Sequence, residues 1–251
     1  MRRGPICLKW PVMAMAPFLC FLPNANAQIS LTAIMMPETV DFTGFTGTGF
    51  TPTPAAGQLD SDTFSVLGLS DGDLAFGGSG TTGDFARGTT TGGVTTGGVY
   101  AFNLGGGNMA FGVQPAGSDF TPGELILRVD NNTGDMVDEV EVTYDIIVRN
   151  DQGRANSFNF SHGTSSGGPF TAVGALDFTT TETADGAPSF ITTNRMTTIT
   201  GLGLANGASL FLRWTSDDVS GAGSRDEIGI DNIVIEATTV PVELMRFTIE
   251  D

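Results

Sequence analysis

Cysteine, lysine and histidine are almost absent from this chain, and each absence removes a chemistry. Cys7 and Cys20 are the only thiols, and Lys9 is the only lysine. All three lie in a leader-like stretch. Arg2, Arg3 and Lys9 make a basic start, Trp10 to Leu22 is an apolar run broken by Pro11 and Pro17, and Ala25-Asn26-Ala27 supplies small residues at a cleavage position. This pattern predicts a secretory signal peptide over residues 1–27. Its apolar run is shorter than the about 20 residues that span a bilayer. Past Ala27 the chain can form no disulfide, offers no thiolate, and has no lysine for a Schiff base or a general base. A Ser-His-Asp triad would have to use His162, the single histidine, with Ser161, Ser165 or Ser166 beside it. No Gly-x-Ser-x-Gly elbow accompanies them. On a strand, His162 continues the face of Phe158 and Phe160, which is the place of a packing residue. Cys/His metal spacings and a phosphate-binding glycine loop are missing as well.

Positive charge is equally scarce. Eight arginines face 28 acidic residues once the leader is set aside, a net charge of about −20. Nucleic acid and anionic lipid both demand basic patches, so neither is an expected partner. No second apolar stretch is long enough for membrane insertion. These balances predict a secreted or cell-surface protein.

Glycine and threonine are abundant instead, and apolar residues come in short alternating runs bounded by Gly, Asp, Asn and Ser. That is the signature of an all-β sandwich or barrel. Ten segments read as strands, beginning with "TVDFTGF" and "DTFSVLGL" and ending with "ASLFLRWTS" and "EIGIDNIVIEA". In "EVEVTYDIIV", Val140, Val142, Tyr144 and Ile146 alternate with Glu139, Glu141, Thr143 and Asp145, so one face is buried and the other wet. That many strands are better held in two packed sheets than in one. "TTGGVTTGGV" repeats a five-residue unit and reads as a surface connection. Three units follow: the signal peptide 1–27, a sandwich over 28–237, and 238–251 as a linker or the start of a further segment.

Carboxylates are the remaining chemical resource. Glycoside hydrolysis needs two of them facing each other across a sugar. Glu139, Glu141 and Asp145 are better explained as the solvated face of an alternating strand. Calcium is the more plausible cofactor, because it takes oxygen ligands from acid-rich turns. The expected ligands are Asp217 and Asp218 in "TSDDVSG" with Asp226 and Asp231 in "SRDEIGIDN". Glu227 and Asp231 stand about 13 Å apart on an extended strand, so Asp231 needs partners from a neighbouring strand or from the Asp217-Asp218 loop. In "SLFLRWTSDD", Leu210, Leu212 and Trp214 share a core face, while Phe211, Arg213 and Thr215 share the other. Arg213 is therefore placed to meet a strand-face carboxylate or a ligand.

Read in order, "GLANGASLFLRWTSDDVSGAGSRDEIGIDNIVI" resembles a jelly-roll module of secreted bacterial multidomain proteins. The shared pattern is a strand ending in Leu-Arg-Trp, an Asp/Gly/Ser loop, and an Asp-rich entry into a final strand. "AAGQLDSDTFSVLGLSDGDLAFGGSGTTGDFARGTTTGGV" and "NDQGRANSFNFSHGT" fit the same module, which extends the resemblance over Val40 to Ala237. It implies a non-catalytic companion of secreted nucleases, phosphatases and adhesin-like chains. "PVELMRFTIED" is similar to the segment before the C-terminal sorting domain of type IX secretion substrates in Bacteroidetes.

The expected fold is thus an all-β, jelly-roll-like sandwich of two antiparallel sheets. The expected function is a secreted, non-catalytic binding or adhesion module whose partner is an extracellular glycan or another cell-surface component. A polysaccharide-degrading enzyme and a purely structural surface or matrix domain are the alternatives. A sheet face bearing exposed aromatics would favour glycan, a cleft with two facing carboxylates hydrolysis, and a flat polar surface the structural role.

Overall fold

The computed structural model describes residues 29–238, so the expected signal peptide and residues 239–251 lie outside the described residues. Ten principal strands carry the fold. They are β1 (Phe64–Leu69), β2 (Gly72–Leu74), β3 (Gly98–Gly105), β4 (Asn108–Gln114), β5 (Gly123–Asn131), β6 (Glu139–Arg149), β7 (Arg154–Gly163), β8 (Phe190–Ile199), β9 (Ser209–Ser216) and β10 (Glu227–Thr238). The first sheet has the order β7-β9-β5-β1-β2 and the second β8-β6-β10-β4-β3. From β5 to β10 the chain changes sheet at every step, which is the winding of a jelly roll. The principal pairs are antiparallel, as expected, while short pieces such as Ile29–Leu31 against Val129–Asn131 add parallel contacts at the margins. No helix among the described residues is long and apolar enough to cross a membrane.

The alternation in the sequence sets which face each strand buries. In β6, Val140, Val142, Tyr144 and Ile146 are fully buried and Glu141, Thr143 and Asp145 are partly exposed. Trp214 is in the core, with its ring edge-on to Tyr144 at 5.4 Å and to Phe160 at 5.4 Å. Such aromatic pairs add about 0.5–1.5 kcal/mol each beyond area burial, so this trio is a principal weld between the sheets. Phe42, Phe45, Phe50, Phe64 and Phe111 form a second buried aromatic group.

Two expectations of local structure fail. Only Thr39 and Val40 of "TVDFTGF" lie in a strand, Glu38–Val40. The Asp41 carboxylate accepts the Thr43 N–H at 3.1 Å, and Phe42 takes a φ of 51°. This local turn competes with pairing, and it drops Phe42 and Phe45 into the core from irregular backbone. The second failure is in β10, where strict alternation would have put Asn232 beside Ile230. Instead Asn232 has a φ of 50°, the register against β6 slips between Thr143 and Asp145, and Ile233 and Ile235 take over the buried face. Asp-Asn is a bulge here, since asparagine tolerates the left-handed region that other side chains avoid.

Candidate functional site

Each sheet has an outer face, and the two are built differently. On the first sheet, β9 turns Phe211, Arg213 and Thr215 outward, as the sequence places them, opposite the buried Leu210, Leu212 and Trp214. The Arg213 guanidinium lies 4.0 Å above the centre of the Phe170 ring. Its Nε donates to Ser161 Oγ at 3.0 Å and its Nη1 to Glu124 Oε1 at 3.1 Å. Arginine and carboxylate thus neutralise each other on the face, and the flat guanidinium extends the aromatic surface. Beside them, Phe76 tilts against Phe211 with ring centres 5.6 Å apart. A cleft of about 320 Å³ opens here, lined by Ser65, Leu67, Ala75, Phe76, Ile126, Ser166 and Gly167. No carboxylate lines it.

The outer face of the second sheet is closed. Phe102 and Phe190 stack there at 4.6 Å, with Tyr100, Ala110 and Ile147 around them. Phe102 lies flat across Gly112, where a Cβ would stand 2.3 Å from the ring. The repeat "TTGGVTTGGV" is a surface connection, and it runs over this face. Glu227 holds it down, accepting the N–H of Gly93 at 3.0 Å and of Val94 at 3.1 Å, with Arg149 at 3.5 Å. Tyr100 Oη donates to the Thr96 carbonyl at 2.9 Å and Arg87 Nε to the Gly97 carbonyl at 2.8 Å. Glu227 is fully buried, and burial pushes its carboxyl above the usual range, against the hydrogen bonds from Gly93 and Val94.

The four carboxylates expected to share a calcium ion are not brought together. Asp217 is exposed and accepts the N–H of Asp218 at 2.8 Å. Asp218 is held by Arg154 and by Arg225, whose Nε donates to it at 2.7 Å. Burial raises the Asp218 carboxyl, and these two arginines outweigh it, leaving it below the ordinary carboxylate range. Asp231 uses one oxygen for the Asn232 N–H at 2.8 Å and the other for Asn108 Nδ2 at 3.2 Å. Burial pushes its carboxyl up to about 6, and the neighbouring charges of Asp145 and Asp41 add to the rise. Asp226 accepts the N–H groups of Asp151 and Gln152, both at 3.0 Å, on Oδ1. Among the described residues no three Asp, Glu, His or Cys side chains gather as metal ligands.

Phe76 and Phe170 were missed by the sequence reading. Phe76 closes the acid-rich turn "LSDGDLAF", and Phe170 follows a glycine-rich loop. The usable signal was Phe211, an aromatic residue on the face opposite a core tryptophan. His162 ends β7 half-buried, and burial pulls its imidazole below the usual value.

No protein-family model matches the chain, and no curated protein matches it. Among solved structures it is similar to the K1 cleaved adhesin domain of Lys-gingipain from Porphyromonas gingivalis W83, at 14% identity over 81% of this chain and 99% of that one, with a TM-score of 0.41. It is also similar to CBM28, a carbohydrate-binding module specific for non-crystalline cellulose, at 12% identity over 55% of this chain and 80% of the other, TM-score 0.36. TmCBM27, a mannan-recognising module, matches at 18% identity over 56% and 80% of the two chains, TM-score 0.35. The likeness is one of fold.

Proposed function

We propose that this chain is a secreted, non-catalytic binding module whose ligand is a neutral extracellular glycan seated on the outer face of the first sheet. The observation that carries the proposal is the cleft beside the tilted Phe76–Phe211 pair, lined by apolar Leu67 and Ile126 and by the exposed Ser166, while the Ser65 hydroxyl is spent on the Leu74 carbonyl at 2.7 Å. A sugar ring has apolar C–H faces and a polar rim, so it suits a site that combines aromatic surface with an exposed hydroxyl. Charge argues for a neutral ligand. Arg213 is committed to Glu124, and the protein as a whole is strongly acidic, which repels polyanions. Hydrolysis finds no support in this cleft, because its lining offers no carboxylate as acid or base. The test is a glycan array followed by affinity electrophoresis in neutral polysaccharides, with Phe76→Ala and Phe211→Ala as variants. Retention by at least one neutral glycan that both variants lose is the expected result. Retention unchanged by both substitutions removes the cleft from the account.

We propose that calcium sits at Asp226. Of the four expected ligands, Asp226 is the one with a buried uncommitted oxygen: its Oδ2 makes no well-aligned hydrogen bond, although the Thr180 hydroxyl stands near it. Asn156 Oδ1 is likewise buried without a partner, and Asn156 Nδ2 reaches the Asp226 carbonyl at 3.3 Å. Carboxylate and amide oxygens are suitable calcium donors. Calcium should raise the Tm of the wild-type chain and leave that of Asp226→Asn unmoved. A calcium response that survives in Asp226→Asn sinks this placement.

A further inference from the structure

The two sheets part at the edge formed by β7 and β8, and a groove of about 340 Å³ opens there. Ile191 and Thr193 of β8 line it from the second sheet, and Phe178 and Thr179 from a two-residue strand paired with β7 of the first. Ile191, Thr193 and Arg195 lie opposite Val148, Ile146 and Tyr144 of β6. Those three partners are buried, so the β8 row shares their inward side. Ile191 is 55% exposed at this edge. The hydroxyls of Thr179 and Thr193 make no hydrogen bond among the described residues. Asn150 and Asp185 also line the groove, and Asn150 Nδ2 reaches Asp185 Oδ1 at 3.0 Å. Asn150 follows Arg149, the partner of Phe190, so this end lies about 16 Å along β8 from Arg195.

Arg195 is the exception among the cations. Of the seven arginines among the described residues, six form an ion pair with a carboxylate, and Arg195 does not. Its guanidinium lies 5.5 Å over the Phe178 ring, its Nη1 reaches the Asn194 carbonyl at 3.5 Å, and its Nε is buried without a partner. A half-buried cation that has lost water without gaining a counter-ion is costly, and an anion from outside would relieve that cost. We infer that this groove is a second ligand site, independent of the cleft, which takes a sugar residue bearing a single carboxylate. The carboxylate meets Arg195, whose planar fork suits it, and the ring lies against Phe178 and Ile191. Thr179 and Thr193 supply uncommitted hydroxyls for the sugar's own, which a bare carboxylate would not use. Asp185 at the far end and the acidity of the whole chain oppose a run of further carboxylates, so a lone acidic residue fits and a polyuronate does not. The cleft and the groove thus select different ligands, one neutral and one acidic.

Titration of the full chain with glucuronate, galacturonate and N-acetylneuraminate, followed by the NMR shift of the Ile191 methyl groups, tests this. At least one of the three acids should shift them saturably. Its methyl ester should bind about tenfold more weakly to the same unaltered protein, and Arg195→Gln should weaken binding of the acid about tenfold. Trp214 fluorescence reports whether that variant is folded. Phe76→Ala should leave binding of the acid unchanged, and Arg195→Gln should leave neutral-glycan retention unchanged, so the two sites stand or fall separately. The inference is overturned by the lack of a saturable shift with all three acids, by an ester that binds as tightly as its acid, or by undiminished binding to folded Arg195→Gln. Acetate or a short peptide's terminal carboxylate bound as tightly as the sugar acid overturns the assignment to a sugar.

Discussion

The two outer faces of the sandwich carry similar materials and use them in opposite ways. Both present aromatic rings above a strand ladder. On the second sheet Phe102 is sealed beneath the glycine-rich loop that Glu227 pins. On the first sheet Phe76, Phe170 and Arg213 stay partly exposed, and Phe76 lines an open cleft. A ring that is covered contributes stability, and a ring that is left open is available to a ligand. The difference lies in the connections: ten residues rich in glycine can lie flat on one face, while Ala75–Phe76 and Ser166–Gly167 line an open cleft on the other.

Glu227→Ala should break the closed face hardest. It leaves two loop N–H groups and part of Arg149 without their acceptor, and removal of one partner from a buried pair costs about 3–5 kcal/mol. Urea unfolding should show this loss together with proteolytic cutting between Thr91 and Gly97, while glycan retention by the folded fraction persists. Unchanged stability would mean that the loop is not held by this carboxylate.

Asp231→Asn should act in the opposite direction. With the Asp231 carboxyl pushed up to about 6, the folded chain keeps a proton between about pH 4 and 6 that the unfolded chain releases. Stability therefore falls as pH rises through that window, and the full cost is present at pH 7. At about 1.4 kcal/mol per unit that cost is about 2–3 kcal/mol at pH 7, and the asparagine variant, whose amide offers Asn232 and Asn108 one acceptor in place of two, should recover only part of it. Its stability profile should also be flatter between pH 4 and 7, a difference that thermal melts at several pH values would reveal.

Phe76→Ala should sharpen the comparison from the other side, lowering glycan affinity about tenfold, or about 1.4 kcal/mol, with little change in Tm. A large Tm loss would assign Phe76 to the scaffold and not to the ligand. Asp218→Asn should matter least. Its two arginine partners are partly exposed, and such pairs contribute at most about 1 kcal/mol. A larger loss in thermal melts would promote this trio to a structural anchor.

Most of the sandwich could be read from alternation alone, because the period of two in β6 and β9 reports which face is buried. Trp214, Arg213 and Phe211 fell on their correct sides for the same reason. What escaped was anything decided by backbone exceptions or distant partners. The turn at Asp41–Thr43 and the bulge at Asp231–Asn232 each hinge on one residue with positive φ, which leaves no periodic trace. "SRDEIGIDNIVI" looks like an acidic cluster, yet its carboxylates go to Asp151 and Gln152, to Gly93 and Val94, and to Asn108. Those partners come from three separate parts of the chain. The cleft escaped for a related reason, since Phe76 and Phe211 meet only after the strands are assembled.

The jelly-roll winding has a kinetic consequence. Because successive strands from β5 onward enter opposite sheets, few strands pair with the next in sequence, and Gly112 must wait for Gly229 to arrive before its ladder closes. Chains dominated by such distant pairings fold slowly, in milliseconds to seconds. In a nascent chain emerging N-terminus first, the first sheet must wait for β9 and the second for β10, the last two strands to be made.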